Sequence, residues 1–233
     1  MLSQLNQIIQ KHANPEKSKL LQGFFKTKSG EYGEGDIFLG ITVPQQRQIA
    51  KQFLNLSLPE IQTLLNTKIH EKRLISLLIL IQQYKKASPK EKQKIFNFYL
   101  QNTKNINNWD LVDLSAPNIV GDYLLDKPRD ILYKLAQSNS LWEKRIAIIS
   151  TFTFIKNNQF QDTIKISELL LKDTHDLMHK AIGWMLREFG KRDQHLLEQF
   201  LKQHYNNLPR TTLRYAIERM EEVKRKRYLK GEI

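Results

Sequence analysis

Hydrophobic residues in this chain recur at helical spacing and almost nowhere at strand spacing. Leu74, Leu77, Leu78 and Ile81 fall three, four and seven residues apart and so share one face of a helix. Ile146, Ile149 and Thr153 repeat the pattern, as do Ile182, Met185 and Phe189. Breakers are scarce: the 233 residues include 9 glycines and 7 prolines. Four of the glycines crowd between Gly30 and Gly40. Apolar–polar alternation is hard to find, and hairpin dipeptides such as Asn-Gly are missing. The chain is therefore expected to be all-α.

Start signals divide it into short helices. Asn14-Pro15-Glu16 opens one, with Asn as cap and Pro at the first helical position. Ser57, Ser88 and Thr174 look like further caps, and Pro59, Pro89, Pro128 and Pro209 fall at similar entry points. About a dozen helices of roughly 8 to 17 residues result. They repeat. Glu71-Lys72-Arg73-Leu74 precedes one apolar run and Glu143-Lys144-Arg145-Ile146 another, 72 residues later. His179-Lys180-Ala181-Ile182 follows 36 residues on. A period of about 36 residues is the length of a helix pair in an α-solenoid, and the chain holds roughly six such units. The expectation is one domain over residues 1–233, built of HEAT-like antiparallel helix pairs with a concave basic groove. An irregular helical bundle is the alternative.

Charge points to a partner. Lys and Arg number 37 against 24 Asp and Glu, a formal net charge of +13. Such a surplus suits a polyanion, with nucleic acid first among the candidates. Cysteine is absent, which excludes disulfides, thiolate metal sites and a Cys nucleophile. No apolar run reaches about 18 residues, so no transmembrane helix is expected. The start, MLSQLNQIIQKHANPEKSK, is amphipathic and has no signal-peptide core. A cytoplasmic protein is expected.

The three tryptophans each have a charged residue three or four positions on: Asp113 after Trp109, Arg145 after Trp142, and Arg187 or Glu188 after Trp184. That spacing puts the partners on one side of a helix. Each Trp is either a packing residue or part of a site. In Asn107-Asn108-Trp109-Asp110-Leu111-Val112-Asp113 an asparagine can cap the helix, and Asp110 suits its positive end. Asp113 stands one turn further in, beside Trp109. Pro117, four residues on, clashes with the carbonyl of Asp113 and should distort the helix. Asp113 is thus either an exposed helix acid or a reactive carboxylate.

Other motifs are weaker. His175 and His179 have metal-ligand spacing, but no third ligand follows and Asp173, Thr174 and Asp176 explain the segment as a helix start. The Gly-rich stretch from Ser29 to Asp36 lacks a phosphate-loop ending and carries three acids. It reads as a surface loop, from which Lys26, Lys28 and Tyr32 can touch a nucleic-acid backbone. Lys224-Arg225-Lys226-Arg227 reads as a solvated helix end.

These residues together resemble the bacterial DNA alkylation repair enzymes of the AlkD type. The resemblance is carried by Asp36 to Ile41, by Asn107 to Asp126, by Leu141 to Ile149 and by Lys180-Ala181-Ile182-Gly183-Trp184-Met185-Leu186-Arg187-Glu188. It implies HEAT-like helical repeats and a DNA glycosylase that releases alkylated, cationic purines such as N7-methylguanine and N3-methyladenine from duplex DNA. Asp113 is then the catalytic carboxylate. Arg145 would bind a backbone phosphate, and Trp109 and Trp184 would contact the modified nucleotide. No metal or organic cofactor is implied, and a monomer is expected. Two departures stand out: Asn108 replaces a second aromatic, and the Gly-rich loop is longer. The rival readings are a catalytically silent DNA-binding solenoid and a protein–protein scaffold.

Overall fold

The computed structural model describes residues 1–232. Among them are fourteen α-helices of 7 to 17 residues and no strand; a single isolated parallel bridge joins Ile37 to Ile69. The fold is all-α, as its periodicity requires. No helix is long and apolar enough to cross a membrane.

The chain divides into two compact units, the first Met1–Ser115 and the second beginning at Ala116. The first holds α1 (Leu2–Lys11), α2 (Pro15–Phe24), α3 (Val43–Gln52), α4 (Leu58–Leu65), α5 (His70–Lys86) and α6 (Pro89–Gln101). The helix α7 (Trp109–Ala116) closes it. The second holds α8 (Asp130–Ala136), α9 (Leu141–Lys156), α10 (Gln161–Leu170), α11 (Asp176–Gly190), α12 (Gln194–His204), α13 (Arg210–Ala216) and α14 (Glu222–Lys230).

Each unit is organised around helices buried on several sides. In the first, α5 packs against α3, α4 and α6. Eleven of its seventeen residues are buried, which explains why its apolar residues surround the axis rather than line one stripe. In the second, α9 packs against α8, α10 and α11 and is buried without a break from Arg145 to Thr151. The peripheral helix α2 has no buried residue at all, and its Leu20 and Phe24 are exposed.

The local start signals operate as their chemistry requires. Asn14 accepts the Lys17 N–H, and Ser57 and Ser88 form capping boxes with Glu60 and Glu91. Thr174 is not a cap. His175 holds that position instead: its Nδ1 accepts the Leu177 N–H, while Asp173 accepts the N–H of His175. The helix starts one residue later than a Thr174 cap requires, and the His175 ring is the acceptor nearest its free N–H groups.

Two glycines of the motifs let backbones approach. A methyl group at Gly183 in α11 would overlap the Thr212 carbonyl oxygen and the Tyr215 Cβ of α13. One at Gly121 would overlap the Ser150 carbonyl oxygen of α9. A helical glycine gives up about 1 kcal/mol of propensity relative to alanine, so its place here is set by the close contact. Gly183→Ala should therefore destabilise the protein by about 1–3 kcal/mol despite the better propensity. The urea-unfolding midpoint reads this directly; a raised midpoint would show that the helices are not in fixed contact there.

Candidate functional site

The Asn107–Asp113 segment opens α7. Asn108 is fully buried; its Oδ1 accepts the Trp109 N–H at 2.8 Å, and its carbonyl accepts the Val112 N–H. Asn108 is thus the cap, and its buried side chain cannot act as a second exposed aromatic would. Asp110 accepts the Leu111 N–H at 2.8 Å, the expected use of an acid at a helix start. Trp109 and Asp113 are half-buried, one turn apart. A π-helical turn runs from Pro117 to Gly121. Proline offers no N–H to the preceding turn, and the wider turn is the local answer. Thr153 of α9 donates to the Pro117 carbonyl at 2.6 Å, and that carbonyl also accepts the Asp122 N–H, which ties the turn to α9.

Trp109 is set by aromatic packing from the end of α2. Phe25 stacks on it with ring centroids 5.2 Å apart and planes 12° from parallel; Phe24 meets it edge-on at 6.0 Å. Phe24 is 63% exposed, so a solvent-facing aromatic lies against the indole. The Phe24-Phe25 pair ends a helix just before the Gly-rich loop, a signal present in the sequence.

Beneath these rings lies a charged cluster that the sequence pattern did not reveal. His70, the first residue of α5, places Nε2 2.8 Å from Asp110 Oδ2 and Nδ1 3.2 Å from Asp36 Oδ2. Arg73 pairs with Asp36 at 2.6 Å and donates to Asn107 Oδ1 at 2.5 Å. His70, Arg73, Asp36 and Asp110 are all buried. Burial works against the charged form of His70, but the Asp110 carboxylate, and hydrogen bonds to Asp110 and Asp36, raise its pKa above the usual value. Burial likewise works to raise Asp36, and the His70 hydrogen bond with the Arg73 charge holds it below the usual carboxylate range. Beside them Glu71, also fully buried, accepts the N–H groups of Leu39, Gly40 and Ile41 at 2.8 to 3.3 Å.

The second unit carries the other expected site residues. Arg145 in α9 is 5% exposed and donates to the Leu177 carbonyl at 2.6 Å. Trp184 in α11 is half-buried; its Nε1 donates to Glu188 Oε1 at 3.2 Å, and Phe152 lies against it at 5.8 Å. The Trp–acid pairing read from the spacing of 184 and 188 is thus a hydrogen bond. His179 Nε2 lies 2.6 Å from the Asp173 carbonyl, and Lys144 pairs with Asp173. The imidazole pair therefore serves the start of α11. Among the described residues no group of three His, Asp or Glu could hold a metal ion. The basic stretch on α14 is largely paired: Lys224 with Glu198 at 2.6 Å, and Arg225 and Lys226 with Glu222. A cleft of about 530 Å³ in the first unit is lined by Leu54, Gln82, Lys86, Glu91 and Lys94, and by none of the expected site residues.

The Gly-rich loop is ordered by its own acids. Glu31 accepts the Lys28 N–H at 2.9 Å, and Glu34 accepts the Gly30 N–H at 2.8 Å and the Ser29 hydroxyl at 3.2 Å. Gly30 and Gly35 take the left-handed conformation that the turns require.

Comparison with known proteins bears on the family and the fold. No curated protein matches the sequence. A solved structure described as a "Predicted DNA alkylation repair enzyme from Enterococcus faecalis" has the same fold, with a TM-score of 0.71 at 18% identity over 91% of this chain and 98% of that one. The family model for DNA alkylation repair enzymes matches residues 5–220. With the motif around Trp109 and Asp113 at the head of α7, and the Gly183-Trp184 motif packed in α11, the chain belongs to the family of DNA alkylation repair enzymes.

Proposed function

We propose that the protein is a DNA glycosylase that hydrolyses the N-glycosidic bond of alkylated, cationic purines in duplex DNA. The observation that carries this reading is the half-buried pair of Trp109 and Asp113, one turn apart at the head of α7, in a chain of the alkylation repair family. An N7- or N3-alkylated purine already bears positive charge, so it leaves without a strong acid. The C1′–N bond breaks, water supplies the new C1′–O bond, and the water proton passes to solvent or base. The protein must stabilise the oxocarbenium-like sugar and hold that water. Asp113 does both in this reading.

Indole faces suit the cationic partner. Each contact of Trp109 or Trp184 with a positive base contributes roughly 0.5–2 kcal/mol. Arg145 offers a forked donor to a phosphate near the lesion. The net charge of +13 supplies a general attraction for the duplex. No metal or organic cofactor enters this chemistry, and the protein acts as a monomer in the cytoplasm.

One assay separates the readings. Incubation with duplex DNA containing N7-methylguanine should release the free base, seen by chromatography. Tight binding without release would instead support a DNA-binding protein without catalysis. Asp113→Asn should abolish release and largely keep binding; full activity in that variant would remove Asp113 from its role. Arg145→Ala should weaken lesion-DNA binding and reduce the salt slope by about 0.9, the amount for one phosphate contact on duplex DNA. An unchanged slope would restrict Arg145 to a structural role, such as its bond to the Leu177 carbonyl.

A further inference from the structure

We propose that His70 is a positioning residue: through Asp110 and Phe25 it fixes the first turn of α7, and with it Trp109 and Asp113. This rests on the proposed glycosylase reading only for the chemistry being positioned. The positioning itself follows from the geometry.

Both ring nitrogens of His70 face carboxylate oxygens, Nδ1 toward Asp36 and Nε2 toward Asp110. A carboxylate oxygen can only accept, so each nitrogen must carry a hydrogen, and the ring is an imidazolium. That charge sits at the first position of α5, where the helix dipole opposes a cation. The two carboxylates supply what the helix end does not. Asp36 and Asp110 balance His70 and Arg73, so the buried quartet is neutral as a set. Glu71, next in sequence, is turned away onto the Leu39–Ile41 backbone.

The imidazolium reaches the site by two routes. Asp110 belongs to the turn that begins at Trp109 and accepts both His70 Nε2–H and the Leu111 N–H. The ring itself stacks on Phe38 at 4.5 Å and touches Phe25 at 5.0 Å, and Phe25 stacks on Trp109. Loss of the His70 proton would set a lone pair against a carboxylate and leave one negative charge in excess among buried groups. Such a group costs far more than a neutral hydrogen bond returns. The clamp therefore has a pH window. Because the folded-state pKa of His70 is raised, its contribution is complete below the ordinary imidazole range and is lost as pH rises through the higher folded value. Asp36, held low, contributes above the usual carboxylate range and is lost as pH falls.

The test has one arm that needs no activity. In a Trp142→Phe, Trp184→Phe background, Trp109 is the sole emitter. His70→Gln should shift its emission to the red while far-ultraviolet circular dichroism stays helical. Unchanged emission would overturn the proposal. Should His70→Gln fail to fold, Asp110→Asn keeps the shape and removes the charge. The same Trp109 emission should then begin its red shift at lower pH than in the parent, and an identical pH profile would overturn the proposal. Long-range proton–nitrogen spectra near neutral pH should show both His70 nitrogens protonated; a neutral tautomer would equally overturn it. The second arm measures single-turnover release of N7-methylguanine. His70→Gln should slow it by about tenfold to a hundredfold, the cost of a misplaced reacting group. A parent protein that releases no base defeats the glycosylase reading, while the emission and nitrogen spectra still decide the role of His70.

Discussion

Three buried ionisable residues in the first turn of α5 hold the site-bearing part of the first unit together. His70, Glu71 and Arg73 are at most 4% exposed, yet each is a residue that normally stays in water. None could be buried there without partners, and α5 cannot supply them. The partners come from two distant segments. Residues 36–41 give Asp36 and three backbone N–H groups; residues 107–110 give Asn107 and Asp110. The need to satisfy buried charge thus ties a loop and a helix start to one turn of a third element. Apolar packing of α3, α4 and α6 on α5 provides the bulk of the core but is not directional. The charged turn provides the direction.

This explains which parts of the fold can be read along the chain. Caps at Asn14, Ser57 and Ser88 depend on residues three positions apart, and their chemistry is written locally. The same holds for Asp110 at the head of α7, for the distortion at Pro117, and for the Trp184–Glu188 pair. His70 is different. Its partners lie 34 and 40 residues away, and nothing in their spacing announces the meeting. The Glu71-Lys72-Arg73 run is legible as a repeat marker, but a charged run reads as solvated until its partners are known. Thr174 fails as a cap for a related reason: its neighbours Asp173 and His175 each accept an N–H of the helix start, and choosing among three adjacent candidates requires the geometry.

The repeat marker acquires a physical meaning of its own. Arg73 and Arg145 lie 72 residues apart, each early in a central buried helix, and both are almost wholly buried. Arg73 spends its guanidinium on Asp36 and Asn107, Arg145 at least one nitrogen on the Leu177 carbonyl. The position is one at which a long side chain threads out of a packed helix to bind the next segment. In the first unit that segment leads to α7; in the second it is the first turn of α11, which carries Trp184 two turns later. The same device thus underlies both helices that carry the proposed aromatic contacts.

The carboxylate of Glu71 has a further consequence for motion. Leu39, Gly40 and Ile41 belong to no helix or strand, and segments of that kind ordinarily open to solvent readily. Here their amide hydrogens are held by a fully buried acceptor on the most deeply buried helix of the unit. They can exchange with solvent only when their bonds to that buried carboxylate break. An irregular stretch therefore shares the protection of the core, and the loop before it ends not at a flexible joint but at a fixed anchor.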